Sequence, residues 1–234
     1  MGAGDRVIEI GAGFGSLTLA LAATGAGVVA VEFDRGVVPA LREVMEDSGV
    51  HVLTADAMRL DWDRVLGDDA RWTLCANLPY NIATPLVLDV LADVPRIDRL
   101  VVMVQREVGE RLVAGAGDEA YGAVSVRVAY RATASIVRRV GPGVFWPRPK
   151  VDSVVVRSDR LPAPPVDIDE VRLWSVVDEA FAQRRKTMRN ALRRLGLDMA
   201  AADATLRAAG VEPSVRPERL SLEDLARVAV ALPA

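Results

Sequence analysis

Five short apolar runs in the first half of the chain each close on a glycine, an acid or an amide, with helical stretches between them. Residues 7–10 run into Gly11, 28–31 into Glu32, 51–55 into Asp56, 72–76 into Asn77 and 100–104 into Gln105. Runs this short, rich in Val, Ile and Leu and bounded by turn residues, fit strands buried on both faces. Between them Ser16 opens a helical stretch with Leu17, Leu19 and Leu21. Residues 36–47 and 85–92 are also helical, and in 105–114 Val108 and Leu112 fall four apart on one helix face. Strand alternating with helix at this spacing predicts a doubly wound, mostly parallel α/β sheet. Ligands of such sheets bind beyond the carboxyl ends of the strands, so the residues that close the runs are the candidates for function.

Two further strands, at 135–140 and 153–157, bring the expected sheet to seven. Residues 121–131 stay open: Val124, Val126, Val128 and Tyr130 alternate as in a strand, while the Ala and Arg content also permits a helix. Leu161-Pro162-Ala163-Pro164-Pro165 reads as a stiff linker. Beyond it the pattern is helical: Val171, Trp174, Val177 and Phe181 share one face, as do Leu222, Leu225 and Ala229. Ser221 with Asp224 has the spacing of a capping box. The expected organisation is a sheet domain over residues 1–160 and a small all-α domain over 166–234.

A length of 234 residues, 51% apolar and 26% charged, suits a globular chain with a sizeable core and excludes a disordered or collagen-like one. One cysteine makes no internal disulfide, and with a single histidine it builds no structural zinc site, so no metal is expected. The plain setting is reducing and cytoplasmic. Residues 10–31 carry no charge over 22 positions, but five glycines among them favour strand, turn and helix over a membrane span. No basic segment precedes them, as a signal peptide would require.

The net charge of −3 argues at first against a nucleic-acid partner, but it is unevenly distributed. Residues 1–137 hold 12 basic and 19 acidic side chains, and residues 138–234 hold 17 and 13. A basic second half hints at a polyanion. Its densest stretch, residues 183–194, has six basic side chains and no acid. On a helix Arg185, Arg189 and Arg193 would share a face and could meet phosphates; a solvated helix face is the plain alternative.

The loop Gly11-Ala12-Gly13-Phe14-Gly15 lets backbone approach a ligand closely, although Ser16 stands where a dinucleotide fingerprint has its third glycine. Glu32, about 20 residues on at the end of the second strand, has the position of a ribose-binding carboxylate. Asp56 could accept a bond from an adenine amine or simply cap a helix. Glu32 and Asp56 together describe an adenosine held by two successive strand ends. Asn77-Leu78-Pro79-Tyr80 is the sharpest feature. Its side-chain amide oxygen and a main-chain carbonyl can each accept one proton of an –NH₂ group, and Tyr80 can stack on a flat ring. An Asn-led turn with a surface Tyr is the alternative. His51 and Cys75 read as strand residues with packing roles.

Set behind Glu9-x-Gly11-x-Gly13-x-Gly15, the tetrapeptide 77–80 resembles the signature of amino-group methyltransferases that use S-adenosylmethionine. Phe145-Trp146-Pro147-Arg148-Pro149-Lys150-Val151-Asp152-Ser153 resembles the F-x-P-x-P-K-V-D-S segment of the ribosomal RNA adenine dimethyltransferases. Gln105-Arg106-Glu107-Val108, Tyr121-Gly122, Gln183-Arg184-Arg185-Lys186-Thr187 and Arg216-Pro217-Glu218 fit the same family. The resemblance covers nearly the whole chain and points to the bacterial branch that dimethylates N6 of two adjacent adenosines near the 3′ end of 16S rRNA.

The resemblance implies a Rossmann-like methyltransferase domain, S-adenosylmethionine as cofactor, 16S rRNA of the small subunit as partner, a monomer, and no membrane. It assigns Gly11, Ala12 and Gly13 to the methionine moiety, Glu32 to the ribose, and Asp56 and Ala57 to the cofactor adenine. Asn77 serves cofactor and base, Leu78 and Pro79 present the backbone, and Tyr80 with Phe145 sandwiches the target; by its residues alone Phe145 reads equally as a core aromatic at a strand start. Arg184, Arg185, Lys186, Arg189 and Arg193 are the RNA contacts. Family members normally begin with a basic segment carrying a G-Q-N-F-L-like motif, and this sequence starts almost at its first strand. The resemblance implies that this segment closes over the methionine end and helps hold RNA. An assembly factor that binds RNA with impaired catalysis and a large-subunit rRNA adenine methyltransferase are the alternatives; a nicotinamide dehydrogenase is a weaker third.

Overall fold

A computed structural model describes all residues except 68–70, 80, 146–150, 184 and 234. The chain forms two compact units, Met1–Gly109 with Ala132–Arg160, and Glu110–Arg131 with Leu161–Ala234.

The first unit is built on a seven-stranded sheet in the order β3-β2-β1-β4-β5-β7-β6. Its strands are β1 (Arg6–Ile10), β2 (Gly27–Glu32), β3 (His51–Thr54), β4 (Trp72–Asn77), β5 (Ile97–Gln105), β6 (Ala132–Val140) and β7 (Ser153–Arg160). β1 to β5 pair in parallel, while β7 runs antiparallel to both β5 and β6. Helices α1 (Ser16–Ala22), α2 (Val38–Val44), α3 (Trp62–Leu66) and α4 (Ala83–Asp93) make the crossovers, and α5 (Arg106–Val113) follows β5. This is the expected doubly wound, mostly parallel fold. Val7, Ile8 and Ile10 are buried because the crossover helices leave β1 no solvent face, which is why the run lacks polar alternation.

The chain lays β2 and β3 outward from β1, then restarts with β4 on the other side of β1. Right-handed crossovers place the connections on opposite faces, so a crevice opens where β1 and β4 end. The uncharged stretch 10–31 is the end of β1, a loop, α1 and most of β2. No helix among the described residues is long and apolar enough to cross a membrane.

β7 extends past the expected 153–157, and its last residue has a specific task. The Arg160 guanidinium donates to the carbonyls of Val90, Leu91 and Val94 at the end of α4 and to that of Ile97 in β5, tying the end of β7 to both.

The second unit holds α6 (Ala123–Arg131), α7 (Glu170–Phe181), α8 (Met188–Arg194), α9 (Met199–Ala208) and α10 (Leu222–Ala231). The open segment 121–131 is therefore helical; its alternation arose because Val126, Val128 and Tyr130 are all buried although they lie on more than one side of a helix. Tyr121, Val126 and Tyr130 share one core with Leu173, Val177, Leu192, Leu206 and Leu225. Residues 110–131 thus group with the C-terminal helices, unlike the expected 1–160 division, because their large side chains are buried there. Ser221 and Asp224 form the expected capping box, the Ser221 hydroxyl accepting from Asp224 N and the Asp224 carboxylate from Ser221 N.

Candidate active site

The loop after β1 is shaped by three glycines in the left-handed region, Gly11 at φ 75°, Gly13 at 56° and Gly15 at 86°. Gly11 also lies against the end of β4 and the turn after it: a Cβ there would be in ordinary contact, 3.7 Å from the Asn77 carbonyl oxygen and 3.7 Å from Pro79 Cδ. The glycine turn and the Asn77-Leu78-Pro79 turn therefore meet, at the crevice between β1 and β4. At Gly15 a Cβ would come within 2.6 Å of Met45 Cε, so this residue lets the start of α1 nest against α2.

Glu32, closing β2, is held in place by backbone. Its Oε2 accepts from Gly13 N at 2.8 Å and its Oε1 from Asp34 N at 2.8 Å. Two charge-assisted bonds fix the carboxylate while leaving it further lone pairs. Asp56, closing β3, caps a single 3₁₀ turn (Ala57–Arg59) through Oδ1, which accepts from Met58 N at 3.0 Å. The helix-capping alternative is thus realised at one oxygen, and the carboxylate keeps a second for a ligand.

Gly11, Glu32, Asp56, Ala57 and Pro79 line one cavity of about 480 Å³, completed by Ile10, Val31, Phe33, Ala55, Met58, Asn81 and Ile82. Acids on one side and apolar surface on the other match a nucleoside, with ribose hydroxyls toward Glu32 and a base in an apolar slot. Ala12 and Gly13 belong to the same loop but not to the lining of this cavity. Phe33 and Met58 are 71% and 38% exposed. Each directly follows a residue expected at the site; that adjacency was the available signal, and it was missed.

Below the loop Glu9 is 1% exposed, and neither its Oε2 nor the Thr18 hydroxyl has a hydrogen-bond partner. Burial pushes the Glu9 carboxyl above the usual range. The Thr18 hydroxyl, close but outside bonding geometry, lowers it in part, and the Glu32 charge raises it further. The left-handed turn, the anchored carboxylate and this orphaned oxygen fit the adenosine-bearing cofactor expected from the sequence.

Asn77 is exposed at the end of β4, whereas Leu78 is buried and donates its N–H to the Met103 carbonyl at 3.1 Å. That bond ties the backbone after Asn77 to β5. The Pro79 carbonyl accepts from Ile82 N at 3.2 Å and starts the turn into α4. Tyr80 lies outside the described residues, as do residues 146–150 of the Pro-rich segment. Phe145, half-buried after the 3₁₀ turn Pro142–Val144, is not among the residues lining the cavity. Cys75 is buried in β4, where burial above all pushes its thiol up to about 11, and His51 is exposed on β3.

The basic stretch does not form one helical face. α8 begins only at Met188, so Arg185 and Lys186 precede it, out of phase with Arg189 and Arg193. Arg189 grips Asp203 through two bonds, one of them 3.0 Å from Nη2 to Oδ2, and its guanidinium holds the Asp203 carboxyl below the usual range. Arg194 pairs with Glu179 at 2.6 Å. Arg185, Lys186 and Arg193 remain exposed; Arg184 lies outside the described residues.

Comparison with known proteins agrees with this geometry. The sequence profile of the family described as "Ribosomal RNA adenine dimethylase" matches residues 3–232. A protein of Thermobifida fusca named Ribosomal RNA small subunit methyltransferase A is 46% identical over 231 residues, covering 96% of this chain and 79% of that protein. A dimethyladenosine transferase from Plasmodium falciparum has the same fold, with TM-score 0.81 at 22% identity over 97% of this chain and 90% of that one. The 23S rRNA methyltransferase ErmE also shares it, with TM-score 0.75 at 24% identity over 99% and 92%. On the extent of the profile match and the identity to the Thermobifida protein, this chain belongs to the ribosomal RNA adenine dimethylase family.

Proposed function

We infer that this protein transfers methyl groups from S-adenosylmethionine to the N6 amines of two adjacent adenosines near the 3′ end of 16S rRNA, in the small ribosomal subunit, working as a cytoplasmic monomer. The observation that carries the reading is the meeting of the Gly11 turn with the Asn77-Leu78-Pro79 turn beside a nucleoside-sized cavity walled by Glu32 and Asp56. S-adenosylmethionine supplies a methyl carbon already activated by a sulfonium leaving group.

The protein's part is to hold the acceptor. The lone pair of an adenine N6 is delocalised into its ring and is a poor nucleophile. Asn77 Oδ1 and the Leu78 carbonyl oxygen each accept one N6 proton, drawing the nitrogen toward tetrahedral geometry and aiming its lone pair. Both oxygens also favour the positive charge that grows on N6 at the transition state, which is stabilisation specific to that state. The bond from Leu78 N to Met103 O holds the Leu78 backbone to the sheet while this happens. The proton then leaves to water. For a second transfer N6-methyladenine presents one proton, so one of the two oxygens gives up its partner.

Glu32 binds the ribose hydroxyls of the cofactor, Asp56 and Ala57 its adenine, and Gly11, Ala12 and Gly13 the methionine end. Phe145 supplies one stacking face for the extruded base, and Tyr80 is assigned the other from the sequence. Arg185, Lys186 and Arg193 offer charge to the RNA backbone, with Arg184 added by the family resemblance. Arg189 would first have to release Asp203.

The test is incubation with labelled cofactor and unmethylated small subunits, with large subunits in parallel. Label recovered as dimethyladenosine in small-subunit RNA supports the reading; label in large-subunit RNA, or binding without label, overturns it. Asn77→Ala should slow transfer roughly 100- to 1000-fold, the scale seen when a single transition-state hydrogen-bonding group is removed. Subunit binding should stay close to wild type. Equal loss of both would make Asn77 a structural residue.

A further inference from the structure

We propose that the carboxyl end of the edge strand β6, residues 137–139, is a contact for the RNA backbone beside the methylated adenosine. The proposal rests on the function inferred above. Strand register places it. Asn77 pairs with Met103, Met103 with Val155, and Val155 with Arg138. Arg138 therefore stands in the same row across the sheet as the residue that holds the target amine. Three strand spacings separate them, about 14 Å in all, a span of a few nucleotides of an extruded strand.

The ladder is irregular between Ile136 and Arg138, where Val137 bulges out, 54% exposed. Arg138 and Arg139 are exposed and have no ion-pair partner among the described residues. The opposite end of the same sheet is different. There Arg99 and Arg157 both bind Asp159, each at 2.6 Å, and the Asp159 carboxyl is held below the usual range by those arginines. Arginine is thus neutralised by Asp159 at the end away from the site; at the end beside it Arg106 pairs with Asp152 at 3.7 Å, while Arg138 and Arg139 are left unneutralised.

Bulges and charges on edge strands also serve to block edge-to-edge aggregation. That purpose alone would spread charge along the strand, yet residues 132–136 are Ala-Thr-Ala-Ser-Ile. It would also be met by charge of either sign, whereas a charged side chain that binds phosphate must be a cation, and the guanidinium is well suited to it.

The sign of the charge is the basis of the experiment. The double variants R138E/R139E and R138K/R139K, checked for unchanged melting temperature and cofactor dissociation constant, are titrated with unmethylated small subunits across a salt series. Loss of two single-strand phosphate contacts should flatten the plot of log affinity against log salt by about 1.4 and weaken binding roughly 20-fold near 0.1 M salt. R138E/R139E should show both effects, and R138K/R139K should stay near wild type. Wild-type affinity and slope in R138E/R139E would overturn the proposal and leave edge protection as the role. Failure of the wild-type chain to label small-subunit RNA would instead remove the functional reading, and this proposal with it.

Discussion

Glu9 sits in β1, its Cα paired across the sheet with Ala30 and Cys75 and its side chain buried. Its folded pKa lies above the unfolded value, chiefly through burial, so the folded state holds the proton longer. The stability this carboxyl contributes is complete below the unfolded pKa and is lost as pH rises through the folded one. Glu9→Gln removes the titration. Its melting temperature should exceed wild type at pH 8 by roughly 2–4 °C, the shift that about 1 kcal/mol makes in a chain of this size. The difference should vanish near pH 4, and an equal offset at both pH values would contradict the account. At this scale the strand ends were readable: Gly11, Glu32 and Asp56, which close predicted strands, line one cavity together with Ala57, named by the family resemblance, and Pro79 of the tetrapeptide 77–80. Phe33 and Met58 escaped notice because an exposed apolar side chain is unremarkable until its neighbours are known.

Among the elements, α5 shows how a sequence pattern can name the right helix and leave one of its contacts unread. Val108 and Leu112 marked its apolar face, and Leu112 is buried, but Gly109 also packs directly on the sheet. A Cβ there would run into Val154 Cγ2 on β7 and come within 3.1 Å of Val156 Cγ2. Helix propensity alone predicts that Gly109→Ala stabilises by up to about 1 kcal/mol. Packing against β7 predicts the reverse, a loss of roughly 1–3 kcal/mol from overpacking. A urea midpoint decides by its sign, and a rise on substitution would refute the packing argument. The basic run 183–194 shows the same limit. Its composition was plain, but its phase was not: α8 starts at Met188 because Thr187 takes an extended cap conformation there.

Over the whole molecule, Tyr121 joins segments 99 residues apart: its hydroxyl donates to the Leu220 carbonyl at 3.0 Å, and its ring meets Phe181 edge-on at 5.7 Å. Burial, with the nearby Glu223 and Asp224 charges, pushes its pKa up to about 12, so the hydroxyl remains a donor across the working range. Tyr121→Phe leaves the ring and orphans the carbonyl, and should cost about 1 kcal/mol. Cofactor affinity should not change, since the cavity residues all belong to the other unit. Thermal melts and a cofactor titration on the same variant check both halves, and a parallel loss of cofactor affinity would count against the assignment.

What the amino-acid sequence determined alone was local. Apolar runs closed by polar residues made strands whose ends became the site, glycines admitted a left-handed turn after β1, and Ser221 with Asp224 started α10. Propensity, periodicity and turn chemistry act within a few residues and can be read there. The tertiary structure alone decided that residues 110–131 join the C-terminal core, that Arg189 is held by Asp203, and that Arg138 falls in register with Asn77. Each of these depends on which distant segments meet, and burial, ion pairing and strand register acquire their energies only once they do.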